Sequence, residues 1–178
     1  MDMDKRPIAI AELNLQPFTT FNPDGVLLVS GSDVSHANPM TISWGMFGIM
    51  WGKPTMMAMV RHTRYTYNYI TKNPDFTVNW MSEDWSDALR ICGSTSGRDM
   101  DKFAETGLTP VPGIIVASPV IDQSALSLEC RTIYRTELTQ ESFLDQSVFS
   151  TMYGDGDIHD LFFGEIVAAS GVEAFHCA

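Results

Sequence analysis

The apolar segments of this chain are short, and they do not alternate with helices. Val26 to Ser30 is an apolar run closed by Gly31, which reads as a strand. Met40 to Met50 is apolar with Thr, Ser and Gly interspersed. Trp51-Gly52-Lys53-Pro54 interrupts it, and a second apolar run follows from Thr55 to Val60. That pattern predicts a strand–turn–strand hairpin. Asp75 to Met81 alternates through Phe76, Val78 and Trp80, the period of a half-buried strand. Ile114 to Ile121, Leu126 to Leu138 and Leu161 to Ala169 read as further strands. Helical signals are fewer. Thr63 is an expected N-cap for a helix from Arg64 to about Lys72, Asp84 to about Cys92 suits a helix stopped by Gly93, and Asp99 to about Thr106 suits one stopped by Gly107. Roughly seven strands without a regular strand–helix alternation argue against a parallel α/β sheet. The expected class is mainly β with short helical insertions, a barrel or a sandwich.

A chain of 178 residues fits one domain spanning residues 1–178. There is no internal repeat and no linker-like shift in composition. No apolar run approaches the ~18 residues of a membrane span. The N-terminal Met1-Asp2-Met3-Asp4-Lys5-Arg6-Pro7 is polar and leads into no signal-peptide core, so a cytoplasmic location is expected. Cys92, Cys130 and Cys177 are far apart and form neither a CxxC pair nor a zinc spacing. They read as packing residues in a reducing compartment. The formal net charge of −11 disfavours nucleic acid and anionic membranes as partners. In so acidic a chain a cluster of basic residues carries more information.

Four stretches carry chemistry-bearing side chains. In Asn38-Pro39-Met40-Thr41-Ile42-Ser43-Trp44-Gly45, Thr41 and Ser43 share one side of a strand. With Asn38 and the Trp44-Gly45 backbone they offer donors and acceptors suited to a flat polar heterocycle. The same stretch also reads as an ordinary half-buried strand. In Arg61-His62-Thr63-Arg64-Tyr65-Thr66, two arginines and two threonines sit where a strand passes into a helix, a place suited to an anion. An ordinary cap with solvated arginines fits equally. Cys92-Gly93-Ser94-Thr95-Ser96-Gly97-Arg98-Asp99-Met100-Asp101-Lys102-Phe103 sets Ser94, Thr95 and Ser96 between glycines, with Lys102 one turn into the next helix. It is neither a P-loop nor a nucleophile elbow. Asp155-Gly156-Asp157-Ile158-His159-Asp160 invites a metal reading, but the EF-hand pattern fails and the histidines show no ligand spacing. A turn is the expectation there, with no metal, and His159 enters the last strand.

Taken in order, these segments resemble the flavin reductase-like family of FMN-binding split barrels, which includes NAD(P)H-dependent flavin reductases and flavoredoxins. Phe76-Thr77-Val78-Asn79 and the closing His159-Asp160-Leu161-Phe162-Phe163-Gly164-Glu165-Ile166-Val167 belong to the same match, which runs from about Leu27 to Ala168. The resemblance implies a Greek-key split barrel that dimerises, with FMN near the subunit interface. It implies ring contacts from Thr41, Ser43 and the neighbouring backbone. It makes Arg61, Thr63, Arg64, Thr66, Ser94, Ser96 and Lys102 candidates for phosphate and ribityl contacts, and puts His159 near the reacting face. The implied activity is an NAD(P)H-dependent flavin reductase, with NADH or NADPH as a transient donor because no GxGxxG fingerprint occurs. The alternative is an FMN-holding electron-transfer protein with a redox protein partner. Family members commonly continue past the last strand with a segment that covers the barrel. This sequence ends at Ala174-Phe175-His176-Cys177-Ala178, which bears on substrate access.

Overall fold

A computed structural model describes residues 4–21 and 24–177. Of the N-terminal stretch read as polar, residues 1–3 lie outside the described residues, as does Ala178. In chain order the elements are β1 (Arg6–Pro7), β2 (Val26–Gly31), β3 (Ala37–Ile42), β4 (Gly45–Met50), β5 (Lys53–Arg61), α1 (Tyr67–Ile70), β6 (Asp75–Trp80), α2 (Ser86–Ser94), α3 (Lys102–Thr106), β7 (Pro110–Val111), β8 (Val120–Ile121), β9 (Leu126–Glu137), α4 (Gln146–Met152) and β10 (His159–Gly171). One antiparallel sheet runs β3-β2-β6-β9-β10-β5-β4, with β1 added to the end of β10. Inward residues of β2, β3, β5, β6, β9 and β10 meet in a single cluster around Phe76 and Phe162. A sheet whose strands all share one core must curl on itself, and the result is a split β-barrel of mainly β architecture. Its two edge strands, β3 and β4, are consecutive in the chain and joined by only Ser43 and Trp44.

The burial pattern explains the sequence pattern. β2 is apolar without alternation because both its faces are covered. Val26 and Leu28 point into the barrel, while Leu27 and Val29 pack against Ala88, Leu89 and Cys92 of α2. In β6 the alternate residues Phe76, Val78 and Trp80 enter the core. β10 buries Phe162, Gly164 and Ile166, then Ala169 and Gly171. The switch of phase coincides with a register shift against β9 between Ile166 and Ala168, where an extra residue turns the strand over. Gly164 lies so close to β6 and β9 that a Cβ would sit 2.7 Å from both Cys130 and Phe76.

Several expectations hold and others need correction. The predicted hairpin is β4–β5, turned by Trp51 and Gly52 with φ of 53° and 73°, the left-handed pair that suits a two-residue connection. The run Met40 to Met50 is two strands, because β3 pairs with β2 while β4 pairs with β5. Thr63 is not a helix cap; α1 starts at Tyr67, and the Thr63 hydroxyl donates instead to Asp157 at 2.7 Å. α2 runs through Gly93 to Ser94. α3 starts later than expected, capped by the Asp101 carboxylate, and ends at Gly107 in the left-handed conformation, as its sequence signals. The expected strand over 114–121 is reduced to Val120–Ile121. Upstream of it, the backbone N–H groups of Ile114, Ile115 and Val116 donate to Glu129, and those of Ala117 and Ser118 to Asp75. Carboxylates from neighbouring strands have taken the donors that a ladder would use. Helix α4 was not anticipated.

Candidate functional site

A cleft of about 590 Å³ opens where the barrel is split. Its walls are the end of β3 with the Ser43-Trp44 connector, the end of β5 with the turn into α1, the loop from α2 to α3, and the first residue of β10. Thr41, Ser43, Trp44, Arg61, Thr63, Arg64, Thr66, Ser94, Ser96, Lys102 and His159 all line it. Segments more than a hundred residues apart in sequence thus meet at one opening. Asn38 and Gly45 do not line it. Asn38 is buried behind the wall, where its amide donates to Thr66 Oγ1 at 2.6 Å and to the Pro39 carbonyl at 3.1 Å. Gly45 faces Met57 and Phe21 of the core side.

The residues at one end are cationic. Lys102 is buried, and its Nζ donates to the carbonyl oxygens of Cys92 at 2.7 Å and Pro39 at 3.1 Å. An ammonium has three protons, so one remains. Among the described residues no carboxylate pairs with it. Burial pushes its pKa below the usual lysine value, and the nearby Arg64 adds to the effect. Arg64 is exposed at the same opening and, among the described residues, its guanidinium has no ion-pair or hydrogen-bond partner. Arg98 donates to the Thr63 carbonyl at 3.1 Å and lies over the Tyr65 ring, 5.2 Å from its centre. Arg98 is not among the site residues expected from the sequence; its place on the same loop as Ser94 and Ser96 is the signal that marks it. Gly97 is what lets this loop close against β3, since a Cβ there would lie 2.0 Å from Asn38 Oδ1.

Arg61 behaves differently from Arg64. Its guanidinium donates to the carbonyls of Asp157 at 2.8 Å and Met152 at 3.0 Å, and lies 3.5–3.6 Å from the Asp155 and Asp157 carboxylates. It clamps the turn between α4 and β10, as does the Thr63–Asp157 bond. The Thr41 hydroxyl donates to the Leu89 carbonyl at 2.6 Å, tying β3 to α2. The 155–158 stretch is a turn, as expected, with Gly156 at φ 78°.

At the other end stand Trp44 and His159, with ring centres 5.3 Å apart. His159 opposes Arg61 across the β5–β10 ladder. Its Nδ1 is 2.9 Å from the hydroxyl of buried Tyr153, a partner that sequence alone did not suggest. Burial, aided by the Arg61 charge, lowers the His159 pKa to about 4, so the imidazole is neutral at pH 7. Burial raises the Tyr153 phenol. A neutral phenol donating to Nδ1 leaves the imidazole proton on Nε2. One residue on, Asp160 faces the barrel end, where its buried carboxylate accepts hydrogen bonds from His62, Tyr67 and Arg135. Burial alone would raise this carboxyl; those three donors outweigh it and hold it below the usual range.

The geometry is therefore a cleft with a buried cation that has no anionic partner among the described residues at one end and an aromatic–imidazole pair at the other. Among known proteins, the chain is similar to flavoredoxin of Desulfovibrio vulgaris (Miyazaki F), with 26% identity, a TM-score of 0.66, and coverage of 90% of this chain and 76% of that one. It has the fold of an FMN-binding domain of a flavin reductases-like enzyme from Shewanella baltica OS155, at 16% identity and a TM-score of 0.68, covering 96% of this chain and 78% of that one. Among curated sequences, it is 27% identical over 150 residues to the uncharacterized protein YddH of Escherichia coli K12, covering 82% of this chain and 68% of that protein. The flavin reductase like domain matches residues 20–176; the chain belongs to that family, and its function is flavin-related redox chemistry.

Proposed function

We propose that the cleft binds FMN and that the protein is an NAD(P)H-dependent flavin reductase. The observation that carries this reading is Lys102, a buried ammonium that lines a solvent-open cleft and whose partners among the described residues are both carbonyls. A buried charge is costly without a counter-charge, and a phosphate would supply one. Lys102 and Arg64 are the residues that would hold it, with the hydroxyls of Ser94 and Ser96 nearby. Thr41, Ser43 and Trp44 would border the ring, and neutral His159 would donate through Nε2 at its edge. The flavin, when bound, supplies the hydride chemistry; the protein binds, orients and tunes it. Within the reading, the chain acts in the cytoplasm as a homodimer.

A second reading is favoured by the 26% identity to a flavoredoxin: the protein keeps FMN and passes electrons to a redox protein partner without turning over NAD(P)H. Steady-state oxidation of NADH and NADPH with FMN and an acceptor separates the two. Turnover well above the free-flavin background supports the reductase. Its absence, together with flavin bands that survive desalting, supports the carrier.

A further inference from the structure

The segment that joins β9 to β10 carries α4 and ends immediately before His159. It is built around Tyr153. The Tyr153 ring is buried, with the rings of Phe143 and Phe149 each 5.8 Å from it and the Arg61 guanidinium over its face at 5.5 Å. The same guanidinium holds the backbone carbonyls of Met152 and Asp157. These contacts fix the phenol, whose hydroxyl meets His159 Nδ1 at 2.9 Å. The Trp44 ring, 5.3 Å away, packs on the same imidazole.

Hydrogen-bond accounting decides which way the phenol–imidazole contact runs. Among the described residues, Nδ1 is the hydroxyl's only partner, and Nε2 of His159 has none. If Nδ1 carried the proton, the buried phenol O–H would be left without an acceptor, at a cost of about 1–3 kcal/mol. If the phenol donates, both groups are satisfied and the imidazole proton lies on Nε2. His159 lines the cleft, so that proton is the one offered to a ligand. The choice between donor and acceptor at this point of the cleft is therefore made by a hydroxyl that does not line it.

A hydride from NADH or NADPH carries two electrons and one proton. Its transfer leaves the nicotinamide with one more positive charge and the flavin with one more negative charge. A hydrogen-bond donor at the ring end of the cleft favours the charged product. An imidazole lone pair in the same place would oppose it.

We propose that Tyr153 is a positioning residue for flavin reduction: its hydroxyl holds His159 as a hydrogen-bond donor through Nε2, and this donor raises the reduction potential of the bound flavin. The proposal deepens the flavin reading and rests on it. Tyr153 acts only through His159.

Tyr153→Phe keeps the ring and its packing and removes only the hydroxyl. Nitrogen-15 NMR of the imidazoles in the flavin-free protein should find the His159 proton on Nε2 in the wild type, and a shift of population to Nδ1 in Tyr153→Phe. Potentiometry of bound FMN should find a lower potential in Tyr153→Phe, with about a tenfold loss in the equilibrium constant for reduction, roughly 30 mV for a two-electron couple. In a His159→Gln background the same substitution should leave the potential unchanged, an outcome that general loosening of the fold would not produce. A wild-type proton on Nδ1 overturns the proposal, as does a tautomer or a potential indifferent to the hydroxyl. So does an equal fall in potential with and without His159. Absence of FMN binding overturns the flavin reading and the proposed role with it, whereas the outcomes above, with FMN bound, overturn the role of Tyr153 alone.

Discussion

Lys102 Nζ donates to the Cys92 carbonyl at 2.7 Å, so the last turn of α2 holds the ammonium that α3 carries into the cleft. Its position is set by backbone, and what remains of its hydrogen-bonding capacity faces the opening. Substituting Lys102→Met should weaken FMN by about 1–3 kcal/mol, the range for a charged hydrogen bond. Riboflavin, which has no phosphate, should lose far less. Arg64→Ala should discriminate between the two ligands in the same direction. Fluorescence titration with both flavins checks this, and equal losses would refute the phosphate role.

Arg61→Ala should behave unlike Arg64→Ala. The Arg61 side chain is engaged by the carbonyls of Met152 and Asp157. Its removal should loosen the α4–β10 turn and weaken FMN and riboflavin by similar factors. Hydrogen exchange over residues 146–158 should accelerate in Arg61→Ala and stay unchanged in Arg64→Ala.

The His159–Tyr153 pair predicts a pH dependence. The imidazole titrates at about 4 in the fold, against 6.5 ordinarily. Between these values the unfolded chain binds a proton that the native state does not, so stability falls as pH falls, at up to about 1.4 kcal/mol per pH unit. The contribution is fully present above the ordinary histidine value. Asp160 is held below the usual carboxylate range, so its own loss begins at lower pH and is separable. Urea unfolding from pH 7 to 4.5 should show the slope in the wild type and a shallower one in His159→Gln.

Gly97→Ala should destabilise the protein by about 1–3 kcal/mol, the usual cost of forcing extra volume into a packed site. A Cβ would lie 2.0 Å from Asn38 Oδ1 and 2.7 Å from the Tyr65 ring. Because Asn38 is one of the obstructing groups, Asn38→Ala should cost less in the Gly97→Ala background than in the wild type. A double-mutant cycle by chemical denaturation measures that coupling.

Much of the fold was legible because it is written locally. The alternation of Phe76, Val78 and Trp80, the Trp51-Gly52 hairpin and the stop at Gly107 all depend on neighbours within a few residues. The basic and hydroxyl-rich segments were legible as candidates for one site for the same reason, being compact clusters in an acidic chain. What the sequence by itself determined was therefore the class of the fold and the residue types available at the opening. Tertiary structure decided their assignments. Arg61 and Arg64 are alike in sequence, but only Arg61 meets the carbonyls of a turn some ninety residues away. Lys102 looks like a solvated helix residue until α2 and β3 close over it. Residues 114–118 look like a strand until Glu129 and Asp75 take their N–H groups. In each case a side chain's partner lies far along the chain, and hydrogen-bond geometry is fixed only when the barrel brings the two together.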